Sequence, residues 1–499
     1  MGTYKKTFSL MIITIMCQVV NLLRDIILAR TFGATNINDV YLVSQTIVSV
    51  IITMINSPMA MAYVPLATKH YVSGDENTKN EFVSTVYSDI LIVATVLMLF
   101  EIFAVRGIVS VAAPGFEKES YNLLIKMILI QSPITLISII KGVNRGNFQI
   151  LQKFNISEMT NIFPYFCMCI YLLLPIKKDI IAVAVVLSTC TVLSVIPEFV
   201  LLYKHGIRIK FKPALTKDIR TMIVLMAAAA IAAGIREVNV LVDKSIGSLL
   251  SEGSITMLSY ASKLSVVVIG LVSASVSLVG FANTANLKNK GKHKEVLENI
   301  VESCNLINFL IIPISVYLIV FSYDLIYVLY YGGGFDLQSV KVTSDLMKLY
   351  AIGLIGYGFQ DVFTRTLHAY KIVRYTIKES AIMVALNIVL NLCFYQIIGA
   401  YGIAIATSIS LLAVIPILGI DVRKIVGRFH VRGILKEMIW FYGMSIVTGF
   451  AVSILKNVLH NDSIMGLFIE SIMCVILYLT LCIVTRNKTF KKIVNGLKN

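Results

Sequence analysis

An all-α polytopic membrane protein is what this sequence predicts, and three observations carry the prediction. Hydrophobic residues make up 57% of the 499-residue chain, and the mean hydropathy is +0.82. Only 14% of residues are charged, against about 25% in soluble domains. The apolar residues run in long unbroken segments rather than alternating, the pattern of spanning helices and not of a β-barrel.

Fourteen such segments fall at about 8–32, 39–66, 83–105, 121–141, 157–175, 179–203, 219–249, 254–284, 302–323, 342–369, 377–398, 401–421, 437–456 and 464–485. The first follows Lys5 and Lys6 like a secretion signal, but it has no small-residue cleavage site and runs on past Arg24, so a retained helix is expected. Several segments exceed the ~20 residues a span needs and should tilt. Pro58, Pro65, Pro133, Pro164, Pro197, Pro313 and Pro416 are expected to kink them.

An offset of 218 residues lays Asn21-Leu22-Leu23-Arg24-Asp25 over Asn239-Val240-Leu241-Val242-Asp243, and Gln45 over Lys263. The expected organisation is therefore a six-helix bundle over 1–203, a second over 204–426, and two further helices with a tail over 427–499. Two parallel bundles around a central cavity is a plan used for alternating access.

A net charge of +16 is compatible with nucleic-acid binding, but its placement gives another account. With the N-terminus inside, the segments on the cytoplasmic side carry 30 Lys and Arg residues and the opposite side carries 8. That asymmetry places both termini in the cytoplasm and uses the positive charge as a topology signal that also meets anionic lipid. No nucleic-acid partner is needed. The eight cysteines sit in or beside apolar segments without paired or zinc-like spacing and read as small core- or lipid-facing residues.

Six cations remain: Arg24, Arg30, Arg236, Lys244, Lys263 and Arg365. Arg30 and Lys244 can snorkel to an interface. Arg24 lies 16 residues past Phe8, at ~1.5 Å per residue well beyond the bilayer midplane, where an arginine costs about 2.5–3.5 kcal/mol. Two readings stand. In one, neighbours neutralise these charges: Asp25 for Arg24, Glu237 for Arg236, Asp243 for Lys244. Adjacent helical residues point ~100° apart, so such pairs are expected to be poor. In the other, Arg24, Arg236 and Lys263 line a water-filled cavity that suits an anion, since a guanidinium offers a fork matching phosphate oxygens.

A second group is Asp243, Asn387, Asn391 and Thr407. Asn387 and Asn391 share a helix face. Such oxygens suit Na⁺ or a proton, or simply hydrogen-bond between helices. In a third group, Asp361 and Arg365 have the spacing of an i,i+4 ion pair beside Tyr357, Gln360 and His368. Glu101 and Glu198 lie near helix ends and are expected to reach the interface. Gly332-Gly333-Gly334 lacks the context of a phosphate loop, and no metalloprotease, nucleophile-elbow or Walker motif occurs. An enzyme is not expected.

The run Leu23-Arg24-Asp25-Ile26-Ile27-Leu28-Ala29-Arg30-Thr31-Phe32-Gly33-Ala34, followed by Asp39 and Tyr63-Val64-Pro65, resembles the opening of the MurJ (MviN) lipid II flippases. Ser251-Glu252-Gly253-Ser254-Ile255, Tyr260-Ala261-Ser262-Lys263-Leu264 and Tyr331-Gly332-Gly333-Gly334-Phe335 extend the resemblance. It implies a V-shaped pair of bundles in the bacterial inner membrane, from the superfamily of multidrug, oligosaccharidyl-lipid and polysaccharide exporters. It also implies movement of the peptidoglycan precursor, an undecaprenyl-pyrophosphate sugar, to the outer leaflet. The family's essential first-helix arginine and its Arg-Asp pair fall on Arg24 and Asp25, and a family arginine of the eighth helix falls on Lys263. With Asp39 and Arg236 these are the candidates for the pyrophosphate cavity, and the family's sodium site resembles Asp243, Asn387, Asn391, Ile403 and Thr407. The sequence departs from the family at three cationic positions: Gln18 stands for one arginine, Val50-Ile51-Ile52-Thr53 spans another, and Lys263 replaces a third. At the sodium site, Asn391 stands where an aspartate would be expected.

The expected function is thus a lipid II flippase, the alternatives being a flippase for another undecaprenyl-pyrophosphate-linked glycan or a multidrug antiporter of the same superfamily. A multidrug pump wants cavity carboxylates, whereas Arg24 leads here. A glycan polymerase would carry large outer loops, and these are short. No cofactor is expected beyond Na⁺, H⁺ or the membrane potential as driving force. Expected partners are the lipid-linked glycan, membrane lipids and cell-wall or polysaccharide synthesis proteins, around a monomer.

Overall fold

A computed structural model describes residues 3–72, 75–372, 374–459 and 464–498, and every regular element among them is a helix. The chain packs as two units, Met1–Thr256 and Met257–Asn499.

The first unit holds α1 (Thr3–Phe32), α2 (Asn36–Val72), α3 (Glu76–Phe103), α4 (Val105–Ala112), α5 (Lys118–Ile150), α6 (Phe154–Leu173), α7 (Ile180–Ser194), α8 (Ile196–Lys204) and α9 (Lys217–Gly247). Spanning helices satisfy their own backbone in lipid, so dedicated caps are needed only where the chain restarts. Asp75 accepts from the N–H groups of Asn77 and Thr78 at 3.0 and 3.2 Å. The Thr78 hydroxyl and these amides hold the exposed Asp75 carboxyl below its usual range. Asp179 caps α7 and Thr216 caps α9 in the same way. Pro197 kinks no continuous helix; it opens α8 just after the break at Val195.

In this unit α5 is the common neighbour, packed by α2, α3 and α7, and α9 packs along α2. Two apolar clusters form its core. One gathers Leu28, Val40, Ile128 and Ile134 with residues of α4 and α7, and the other gathers Met59, Phe82, Ile139 and Ile140 with residues of α8 and α9.

The second unit takes all but the first turn of α10 (Ser254–Asn289), then α11 (His293–Val320), α12 (Ser322–Tyr330), α13 (Leu337–Ala369), α14 (Arg374–Ile398), α15 (Ala400–Val426), α16 (Val431–Leu459), α17 (Ile464–Val484) and α18 (Lys488–Lys498). The Gly332–Phe335 loop closes on an isolated bridge and sends the buried Phe335 ring against Tyr260 and Tyr330 at 6.2 and 6.0 Å.

The internal repeat is legible element by element. The starts of α2 through α7 recur in α10 through α15 at separations of 217 to 220 residues, with α2 and α10 at 218. Packing recurs as well: α3, α4 and α7 contact α5 as α11, α12 and α15 contact α13, and α6 meets α7 as α14 meets α15. Helices α16 and α17 are additions, α16 against α11.

Among the described residues, 12 helical segments are long and apolar enough to cross a membrane, fewer than the 14 expected. The two others are α10 and α13. The apolar stretch described in α10 is the shorter Ser254–Gly270, and α13 carries Lys341, Asp345, Lys348, Asp361 and Arg365. One correction concerns α5, expected to end at 141, which continues to Ile150 and so carries Arg145 inside a helix.

Candidate functional site

Arg24 and Asp25 lie on α1, which packs on α6. The Arg24 guanidinium donates from Nε and Nη2 to Oδ1 of Asp25 at 2.9 and 2.7 Å, and it lies over the Tyr165 ring of α6 at 4.7 Å. Adjacent residues do therefore pair here, against the expectation from helix geometry. The long arginine side chain turns back along the helix far enough to reach its shorter neighbour. Asp25 is buried, with its side chain 4% exposed against 13% for Arg24. The carboxylate and the aromatic face together offset the insertion cost of the cation, and they engage only two of the five guanidinium donors.

Asp39 occupies the first turn of α2, and it faces a helix end. Its Oδ2 accepts from Gly253 N–H at 2.9 Å, and its Oδ1 accepts from Thr256 N–H and the Thr256 hydroxyl at 2.7 and 2.6 Å. The carboxylate thus closes the N-terminus of α10, where helix polarity favours an anion. In return Glu252 Oε1 accepts from Asn36 N–H, the first residue of α2, at 2.9 Å. Two helix starts 218 residues apart exchange capping carboxylates. The close approach explains Gly253, whose φ is +78° and whose Cβ would sit 2.3 Å from the Ala34 carbonyl oxygen.

Arg236 and Asp243 sit on α9 in the first unit, Arg236 exposed and Asp243 half-buried. The Lys244 ammonium donates to the Leu42 carbonyl of α2 at 2.7 Å. Lys263 is half-buried on α10 in the second unit.

Asn387, Asn391 and Thr407 do come together. Asn391 Nδ2 donates to Asn387 Oδ1 at 2.9 Å, Asn387 Nδ2 to Thr407 Oγ1 at 3.3 Å, and Thr407 Oγ1 to the Ile403 carbonyl at 3.0 Å. These amide, hydroxyl and carbonyl groups form a hydrogen-bonded ladder that joins α14 to α15. The Asp361–Arg365 pair on α13 forms as expected, at 3.0 Å.

The sequence reading missed a buried polar network in the first unit. Glu198, expected to reach the interface, is fully buried. It accepts from Asn144 Nδ2 at 2.6 Å and from the Thr160 hydroxyl, and it lies 3.6 Å from the Lys141 ammonium. Lys141 also donates to Ser194 Oγ and the Thr160 carbonyl at 2.8 and 3.2 Å. The Tyr87 hydroxyl donates to Asn144, while Tyr63 and Tyr71 donate to Asn147 Oδ1 at 2.6 and 2.8 Å. Gly146 makes room for the Tyr63 ring, which a Cβ would meet at 2.5 Å. The signal in the sequence was Val143 and Phe148 continuing the apolar period past Lys141. Glu101, likewise expected at an interface, is fully buried.

A family profile described as lipid II flippase MurJ matches residues 28–474. The chain is 25% identical over 415 residues to a probable lipid II flippase MurJ of Thermotoga maritima, covering 83% of this chain and 84% of that protein. It is 22% identical over 458 residues to a protein of the same description from Vibrio cholerae, covering 87% and 85%. Among solved structures it resembles a lipid II flippase MurJ in an inward closed conformation, with a TM-score of 0.82, 24% identity, and coverage of 96% of this chain and 98% of that one. It shares its fold with an inward-facing multidrug resistance MATE family transporter of the MOP superfamily, with a TM-score of 0.72 at 9% identity over 82% and 94% of the two chains.

Proposed function

The chain belongs to the MurJ family of lipid II flippases, and from that premise we propose how its own side chains carry the task. The protein is a multi-pass membrane transporter that moves lipid II, an undecaprenyl-pyrophosphate sugar, between leaflets by alternating access. The observation that carries the assignment to particular residues is the buried Arg24–Asp25 pair on α1. Asp25 holds the guanidinium in place without substrate, and the donors it leaves unengaged match pyrophosphate oxygens. A bidentate grip on phosphate is the strongest form of such contact.

Arg236 and Lys263 are proposed to add positive charge toward the same anion, Lys263 as a point charge without a fork. Asp39 contributes by fixing the start of α10 rather than by touching the anion, which a second carboxylate would repel. The ladder of Asn387, Asn391 and Thr407 is the proposed Na⁺ site. Amide, hydroxyl and carbonyl oxygens are the right chemistry for a hard cation, and binding would exchange their mutual hydrogen bonds for the ion. An inside-negative potential favours outward anion movement by about 2.3 kcal/mol per charge per 100 mV. Both termini are proposed to lie in the cytoplasm of a bacterium, with the protein in its inner membrane as a monomer near cell-wall synthesis proteins and with no catalytic step of its own.

The test is complementation of a strain depleted of its own flippase, with Arg24→Ala beside the wild type at matched expression. Rescue by wild type and not by the variant is expected. Rescue by both would remove Arg24 from the mechanism. Failure of a well-expressed wild type would transfer the proposal to another undecaprenyl-pyrophosphate-linked glycan.

A further inference from the structure

Glu101 occupies the third-last position of α3 and is 0% exposed. The Thr135 hydroxyl donates to its Oε2 at 2.7 Å, while Oε1 has no hydrogen-bond partner. The site is deep in the bundle. Thr135 is 17 residues into the 33-residue α5, about 26 Å from that helix's start at 1.5 Å per residue.

The charges on the packed elements do not compensate it. Helices α2, α4 and α5 contact α3. At this end of α2 the titratable groups are Asp39, held by Gly253 and Thr256, and Tyr41, whose hydroxyl donates to Met168 Sδ at 3.5 Å. Arg106 on α4 and Lys118, Glu119 and Lys126 on α5 are exposed, and the Tyr121 hydroxyl donates to the Arg106 carbonyl at 3.0 Å. Farther along, Lys141 is paired with Glu198, and His70 with Asp218. A carboxylate buried with one donor and no cation neutralises itself by taking up a proton.

Thr135 falls between the two apolar clusters of the first unit, past Ile134 of one and before Ile139 of the other. Two residues earlier Pro133 removes the helix donor for the Leu129 carbonyl, and the Ser132 hydroxyl takes its place at 2.9 Å. The Glu101–Thr135 contact therefore bridges the end of α3 to a weakened point of α5.

We propose that Glu101 is a proton-binding site that couples protonation to the movement of the first bundle. In the conformation seen here the carboxylic acid is neutral and fastened to Thr135. When α3 and α5 part and water enters, the O–H bond breaks, the proton passes to water and the carboxylate remains. Closure requires the carboxylate to recover a proton from water first. The coupling rests on the alternating-access reading above, but it does not depend on which lipid is carried.

Two measurements on the full chain in lipid test this, both with E101Q, which keeps the shape and the acceptor for Thr135. At neutral pH the wild type should show the infrared carbonyl stretch of a protonated carboxylic acid that E101Q lacks; superimposable spectra would overturn the proton site. In a vesicle assay of lipid accessibility over a pH series, the wild-type rate should vary with pH and the E101Q rate should be flat. A wild-type rate that ignores pH, or an E101Q profile that follows the wild type, would overturn the coupling. The infrared result needs no substrate, so failure of the lipid II reading leaves it legible.

Discussion

Asp39 and Thr256 are 217 residues apart, yet the carboxylate of one accepts both the N–H and the hydroxyl of the other, at 2.7 and 2.6 Å. Hydrogen bonds to a buried charged acceptor contribute about 1.5–3 kcal/mol, and leaving such donors unpaired costs a comparable amount. Asp39→Ala should therefore lower stability in detergent by about 2 kcal/mol or more, with Thr256→Val giving the smaller part of that loss. In a double-mutant cycle the two changes should be strongly non-additive. Additive losses would mean that Asp39 acts elsewhere.

Arg24 makes a sharper prediction, because its charge and its fork can be separated. Arg24→Lys keeps the cation but loses the Nε and Nη2 pair that grips Asp25. If bidentate recognition of pyrophosphate matters, Lys should be nearly as inactive as Ala in a lipid-accessibility assay, a loss of tenfold or more for about 1.4 kcal/mol. Asp25→Asn should be damaging too, since it frees the guanidinium from its anchor. Wild-type rates for Arg24→Lys would reduce the requirement to simple positive charge.

Much of this architecture was legible because a bilayer imposes long apolar segments, and these survive in a single sequence. The repeat was visible from one short match around Asp25 and Asp243, and the helix starts of α2 and α10 carry the same 218-residue offset. What escaped reading was side-chain reach. Arg24 turns back to an adjacent residue that helix geometry alone points away. Lys141 stood at the expected end of its segment because the end of α5 was placed nine residues early. Glu198 was read as an interface charge because it lies near a helix end, and only packing reveals that the two are buried together. Asp39 had the composition of a site residue, and its capping role depends on a loop more than 200 residues away.

The amide ladder on α14 and α15 predicts a measurable cation effect. A ligand that binds only the folded state stabilises it by about 2.7 kcal/mol at 100 times its Kd. If Asn387, Asn391 and Thr407 hold Na⁺, NaCl should raise the unfolding temperature in detergent where choline chloride does not, and Asn391→Ala should abolish the difference. Asn391→Asp should strengthen it by supplying a carboxylate. No Na⁺-specific shift in the wild type would leave the ladder as interhelical bonding, where such contacts are worth about 0.6 kcal/mol each.

The Lys141–Glu198 pair separates two accounts of a buried charge. Removing one partner leaves an uncompensated ion in the bundle, at a cost of about 3–5 kcal/mol, whereas replacing both by apolar groups of similar size is often neutral or stabilising. Lys141→Met alone should therefore destabilise strongly, stranding a carboxylate that also accepts from Asn144 and Thr160. Lys141→Met with Glu198→Leu should recover part of that loss but not all, because Asn144 and the Thr160 hydroxyl lose their acceptor in the double variant. Thermal unfolding of the two variants in detergent gives the order directly. A double variant as unstable as the single one would mean that the carboxylate's bonds to Asn144 and Thr160, which join α5 to α6 and α8, matter more than the ion pair.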